Sequence, residues 1–195
     1  LLPPVDVIHV AGRLVPPTSR TPLLVSVDDL RPLRDDSEGR WRIQQLRRAV
    51  DRGARIVATS YAARREVQSV LEIENADIAV APPAISVESS KTTGSVLLVS
   101  VTGTTDQFLQ LEPALTALAA EQQLGITVLA SREAGSLIKV ACPNVTVRSR
   151  GRARQLLPEA FSVVHLSDGA RFPSLAVAAF AANVPVVATT TDVNR

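Results

Sequence analysis

Along nearly the whole chain, short apolar runs alternate with longer stretches in which apolar residues recur at helical spacing. In the first part, "DVIHV" (6–10), "PLLVSV" (22–27), "RIVATS" (55–60) and "DIAVA" (77–81) predict buried strands. Between the last three lie "GRWRIQQLRRAVDRGA" and "YAARREVQSVLEI", whose patterns predict helices, with Ser60 placed to cap the second. "PPAISVESSKTTGS" (82–95) breaks the alternation with prolines, serines and threonines and reads as a linker. The alternation then resumes. Strands are expected at "SVLLVSV" (95–101), "GITVLA" (125–130), "NVTVR" (144–148), "SVVHL" (162–166) and "VPVVAT" (184–189). Helices are expected from Asp106 to Glu121 and over roughly 133–142, 152–160 and 173–182. Asp106 should cap its helix and Pro113 should disturb it. Leu175, Val177 and Phe180 should face the sheet, and His9, His165 and Cys142 are expected in the core.

Strands that are apolar throughout and alternate with helices imply parallel sheets covered by helices on both faces. The expected fold class is therefore α/β, with two Rossmann-like halves at 1–90 and 91–195. No internal repeat or low-complexity segment interrupts this organisation.

Composition narrows the function classes. The 195 residues suffice for one large domain or two small ones, and 46% apolar with 21% charged residues is ordinary for a soluble α/β protein. No apolar run approaches the roughly 18 residues that span a bilayer, and no secretory leader opens the chain. The single cysteine excludes an internal disulfide and offers no metal-ligand cluster, so neither metal nor cofactor is expected and the default setting is cytoplasmic. Residues 1–90 carry twelve basic and twelve acidic side chains, and residues 91–195 carry nine and seven. Such balance, with aromatics at 3%, does not suit a nucleic-acid binder, which needs a concentrated basic face and stacking platforms. Methionine is absent, even at position 1, as expected of a fragment.

Two basic features stand out. Arg148, Arg150, Arg152 and Arg154 recur at spacing two in "VRSRGRARQ". If extended, they would line one face and grip phosphates or anionic lipid headgroups; the alternative is a solvated turn and helix start. Six arginines surround Trp41 over residues 40–55, a pattern that fits either a surface helix packed on a sheet or docking at a membrane surface.

Five blocks, in order and at the right intervals, resemble the retaining family-4 glycosyltransferases of the GT-B fold. "DVIHVAGRLVPP" resembles that family's strand and loop with Asp-Val-x-His, and "TPLLVSVDDLRPL" its "PLVVTVHDLxPL". "ARIVATSYAARREV" is similar to "AxxIIAVSxAxRxxL", "IAVAPPAIS" to "IxVxPNGVD", and "NVPVVATT" to "GVPVVASx". The resemblance implies an acceptor-side first half and a nucleotide-sugar-side second half, both incomplete here at the outer ends. It also implies a nucleotide-sugar as substrate and, for members with lipid-linked acceptors, a peripheral place at the inner membrane face.

The residues expected to carry the chemistry depart from that family. Its histidine near the reacting sugar is replaced by Asp28, which could accept sugar hydrogen bonds or act as a base; the competing reading is a strand-end carboxylate capping the next turn. The strand into the second half normally ends in glycine, followed by an arginine and a lysine that neutralise the donor diphosphate. Here Ser100, Thr105 and Asp106 stand in those places. Gly103 could let backbone approach a phosphate, or simply form the turn. The family's "EGFGLPxLEA" becomes "ARFPSLAVAA", so its two glutamates are Ala170 and Ala178 and its two glycines are Arg171 and Pro173. Arg171 could replace a lost cation. Candidate donor-binding residues are thus Gly103, Arg171, Phe172 and Ser174, with Asp28 as the candidate catalytic residue.

A group that stabilises transition-state charge contributes about 2.7–4 kcal/mol, so losing several should leave little turnover. Two functions follow from the resemblance: a glycosyltransferase of weak or lost activity, or a non-catalytic pseudo-glycosyltransferase acting as partner or regulatory subunit of an active homologue. A peripheral binder of membrane or anionic glycan, working through the arginine comb, is the third.

Overall fold

The computed structural model describes residues 5–11, 15–16, 21–30, 37–73, 78–85, 94–167, 169 and 172–190. The chain divides into two compact units, Leu1–Pro83 with Ala170–Phe172, and Ala84–Gly169 with Pro173–Arg195. The expected boundary at 90/91, and most of the linker around it, lies outside the described residues.

In the first unit, strands β1 (Ile8–Ala11), β2 (Leu23–Val27), β3 (Arg55–Ala58) and β4 (Ile78–Val80) form a parallel sheet in sequential order. Helices α1 (Ser37–Asp51) and α2 (Tyr61–Leu71) connect β2 to β3 and β3 to β4. Side chains alternate across a strand, so Leu23, Val25 and Val27 share a face with Ile56, Ala58 and Ile78. That face packs on Leu46 and Ala49 of α1 and on Ala63, Val67 and Leu71 of α2.

Ser60 caps α2 as expected: it is extended, and its hydroxyl accepts from the Ala63 amide at 3.0 Å. Replacing Ser60 with alanine should destabilise this unit by about 1 kcal/mol, read as a lower denaturation midpoint at Trp41 fluorescence. The same alternation corrects the expectation for His9. Ile8 and Val10 take the core side of β1, so His9 turns outward, is exposed, and meets the Ser26 hydroxyl through Nε2 at 2.8 Å.

The second unit contains β5 (Val96–Val101), β6 (Gly125–Ala130), β7 (Thr146–Ser149), β8 (Ala160–Leu166) and β9 (Val186–Ala188). They form one parallel sheet in the order β7-β6-β5-β8-β9. Helices α3 (Thr105–Glu121) and α4 (Arg132–Ala141) cover one face, where Phe108, Leu115 and Ile138 meet Leu97, Val99, Val101, Val128, Val164 and Leu166. Alpha-4 lies close on β7: a Cβ added at Gly135 would stand 3.0 Å from Val147 Cγ1. Helices α5 (Ala153–Leu156) and α6 (Ser174–Ala181) lie over the other face, with Leu157, Leu175, Ala178, Ala179 and Ala182 against Leu98, Leu129 and Val163.

Three local expectations change. Thr104, not Asp106, is the N-cap of α3; Asp106 sits in the first turn, where its charge complements the helix dipole. Alpha-3 runs through Pro113, which removes the amide that would donate to the Leu109 carbonyl. The helix expected over 152–160 is a single α turn between 3₁₀ turns at Arg150–Arg152 and Leu157–Glu159. Pro158 has no N–H for the Arg154 carbonyl, so the α pattern stops there.

On α6, Leu175 is buried as expected, but Val177 is 39% exposed and Phe180 77%. The buried stripe is Leu175, Ala178, Ala179 and Ala182, at the i, i+3, i+4, i+7 spacing of one helix face.

Candidate functional site

The order of the second sheet places the site. The chain begins at central β5, steps outward to β6 and β7, then returns to the other side of β5 for β8 and β9. Connections leave β5 and β8 in opposite directions, and the resulting crevice beyond their carboxyl ends is where α/β sheets bind ligands.

Backbone and hydroxyl groups organise that edge. The Leu166 carbonyl at the end of β8 accepts from the Thr102 amide at 2.8 Å, the Gly103 amide at 3.2 Å and the Thr102 hydroxyl at 3.1 Å. Beyond β8, the Thr189 hydroxyl donates to the Ser167 carbonyl at 2.7 Å and accepts from the Ser167 amide at 3.0 Å. The Gly169 amide donates to the Ser167 hydroxyl at 3.3 Å. The β5 loop and the β9 end are thereby latched to the two sides of the β8 terminus.

The segment that carries the four arginines is extended only as far as Ser149, and a turn and helix start follow, as in the alternative to a comb. Arg148 lies in β7, Arg150 and Arg152 in the 3₁₀ turn, and Arg154 in α5, so they do not form one row. Arg148, Arg152 and Arg154 are exposed, whereas Arg150 is half-buried. Its Nη2 crosses the end of β6 to donate to the Val101 carbonyl of β5 at 2.8 Å. His165 of β8 is 3% exposed, and its Nδ1 has no hydrogen-bond partner among the described residues. Burial pushes the His165 pKa below its ordinary value, and the charge of Arg150 lowers it further. The imidazole is therefore neutral at pH 7.

The other candidates are placed as follows. Gly103 lies in the β5 loop with its amide directed to Leu166. Ser174 is the exposed first residue of α6, after Pro173 at the N-cap position. Arg171 and Ala170 lie outside the described residues. Asp28 follows β2, and its Oδ1 accepts from the Thr59 hydroxyl at 2.9 Å. It also accepts from the Phe172 amide at 3.0 Å, Phe172 being grouped with the first unit. Ala178, standing where the resemblance would put a glutamate, is 2% exposed inside the α6 core. Among the described residues, no group of three His, Cys, Asp or Glu side chains could hold a metal ion. None of the described helices is long and apolar enough to cross a membrane.

Arg150 was visible in sequence as part of a charge run, but its reach to Val101 was not. The Ser167–Thr189 latch was missed altogether; the threonine that ends "VPVVAT" is its trace in the sequence.

Two parallel sheets flanked by helices, the second with the strand order of a Rossmann half, define a GT-B-like α/β fold. The chain is similar to the crystal structure of TarM, with TM-score 0.60 and 14% identity over 86% of this chain and 36% of that one. A mutant of S. aureus TarM in complex with fondaparinux, alpha-GlcNAc-glycerol and UDP gives TM-score 0.63 at 12% identity, covering 88% of this chain and 37% of that one. A chain from the structure of accessory secretory protein 1, 2 and 3 of Streptococcus pneumoniae gives 0.54 at 14%, covering 96% and 41%. The chain thus spans between a third and a half of the length of these proteins. No protein-family model matches it, and no curated protein does.

Proposed function

We propose that this chain is part of a retaining, family-4-like glycosyltransferase whose second unit holds a nucleotide-sugar beyond the ends of β5 and β8. In such a transfer, the bond from the sugar's anomeric carbon to the diphosphate breaks and a bond to an acceptor hydroxyl forms. The acceptor proton leaves and the nucleoside diphosphate departs. The family resemblance makes Asp28, which follows β2 in the first unit, the candidate catalytic carboxylate, and it assigns the acceptor to that unit. The reading rests on the reversal of strand order at β5 and β8, together with likeness to a protein solved with UDP. Activity is weak or lost, because Thr105 and Asp106 stand where the resemblance expects cations.

A second reading, a non-catalytic partner of an active homologue, is favoured by one observation: Ala178 is built into the hydrophobic core. One experiment addresses both. The full-length protein is heated with UDP, GDP or their sugars at millimolar concentration, and sugar transfer is assayed alongside. Ligand at about 100 times Kd contributes roughly 2.7 kcal/mol, which raises Tm by several degrees. Absence of any shift sinks the donor-site reading. A shift without turnover selects the non-catalytic partner.

A further inference from the structure

We propose that the outer faces of α3 and α4 form a self-association surface, on which a second copy of this chain docks with its α4 antiparallel to the first. The inference does not depend on the donor-site reading. Alpha-4 turns Gly135 and Ile138 toward the sheet. Its opposite side presents Glu133, Leu137 and Val140, all exposed and spaced i, i+4 and i+7 along one stripe. Leu137 is 61% exposed and Val140 86%, the most exposed large hydrophobic side chain among the described residues. Alpha-3 covers the same sheet face beside it. There Leu109, Leu111 and Leu118 are each more than a third exposed. Between Asp106 and Glu121 the one charged residue of α3 is Glu112, which is half-buried and accepts from the Thr116 hydroxyl at 2.7 Å. The outer face of a surface helix is ordinarily polar, and loss of charge is the mark of an interface core.

The charges on α4 select the occupant. Glu133 lies in the first turn and Lys139 in the last, both exposed, with Leu137 between them. A helix that is acidic at one end, apolar in the middle and basic at the other complements itself when reversed. A two-fold dimer uses the same patch on both partners. An axis beside Leu137 therefore brings Glu133 of each copy to Lys139 and Val140 of the other, while the two Leu137 side chains meet. Reversal also opposes the helix dipoles, so the acid and base ends meet in the favourable sense. Parallel pairing would instead set Glu133 against Glu133 and Lys139 against Lys139. A partner of one charge sign would be repelled at one end of the stripe. Ten residues of helix are about 15 Å long, too short to supply alone the roughly 800 Å² per partner of a standard interface. The uncharged surface of α3 supplies the remainder, and the dimer is a weak one, with Kd in the micromolar range.

The test is sedimentation equilibrium of the full-length protein across the micromolar range, where wild type passes from monomer to dimer. Val140→Asp changes a side chain that is already exposed, so folding is preserved. It weakens the dimer by more than about 10-fold, because each interface then buries two added charges. Glu133→Lys and Lys139→Glu each weaken it by roughly 3- to 30-fold, since every lost pair occurs twice. The double reversal, Glu133→Lys with Lys139→Glu, restores the pairing and returns affinity to within about threefold of wild type. Thermal melts by circular dichroism on dilute samples separate any loss of helix from loss of association. Wild type that stays monomeric throughout overturns the proposal. Maleimide labelling of Val140→Cys then tells whether another segment of the chain covers the face or a different partner must. A dimer that Val140→Asp weakens by less than about twofold uses another surface, and a double reversal no better than the single ones refutes the antiparallel register. Either result overturns the proposal.

Discussion

Replacing Phe108 with alanine lowers the stability of the second unit by about 3–5 kcal/mol. Phe108 is fully buried in the first turn of α3 and belongs to the cluster that joins β5, β6 and β8 to α3 and α4. It shares that cluster with Val99, Val101, Val128 and Leu166, all of them buried. Removing it deletes the transfer free energy of the ring and leaves a cavity that rigid strands cannot close. Domains are stable by only about 5–15 kcal/mol in total, so the change takes away a large share. Amide hydrogen exchange over residues 96–189 is the appropriate measurement. Protection in β5, β6 and β8 should fall by roughly two to four orders of magnitude. Trp41, the sole tryptophan, lies in the first unit and is a poor reporter of the loss. If β5 amides keep wild-type protection, the assignment of this cluster as the unit's core is wrong.

The strands were legible because parallel strands buried on both faces are nearly continuous apolar runs, as in "SVLLVSV" and "SVVHL". Helix α2 was legible through Ser60, whose hydroxyl performs the capping its position suggested. Alpha-6 was legible as a helix but not as an oriented one. "SLAVAAFA" is apolar all round, so no polar stripe marks the outer side, and the larger Val177 and Phe180 wrongly suggested the inner one. Small residues won that face: Ala178 and Ala179 let the helix sit close to β8 and β9. His9 was misplaced because a strand at the edge of its sheet buries one side only partly.

The charge around the candidate site was harder to read, for a different reason. Spacing two between arginines implies one face only while the chain stays extended, and the turn at Arg150–Arg152 ends that. Arg150 meets Val101 across 49 residues because β6 lies between β7 and β5 in the sheet. No local pattern carries that information; it comes from strand order. The same is true of Thr189 and Ser167, which meet because β9 is added beside β8.

The substitution Ala178→Glu, which would restore the acidic residue suggested by the family resemblance, should destabilise the second unit rather than improve the site. Ala178 is 2% exposed among Leu98, Leu129, Leu157, Val163 and Leu175. Overpacking there costs about 1–3 kcal/mol. The added carboxyl must also be protonated or remain charged in an apolar cluster. Protonating a group of ordinary pKa near 4.3 at pH 7 costs roughly 3–4 kcal/mol, which bounds the electrostatic part. Burial raises the folded-state pKa above the unfolded value, so the penalty is full above the folded pKa and fades as pH falls toward about 4.3. Denaturation midpoints measured between pH 5 and 8 should therefore diverge from wild type as pH rises. Ala178→Gln should show only the overpacking loss, with no such slope. A stable Ala178→Glu variant whose difference from wild type is flat in pH would mean that this helix position reaches solvent. Its alanine would then be a missing polar contact at a site otherwise able to carry one, and the core assignment that favours the non-catalytic reading would fall with it.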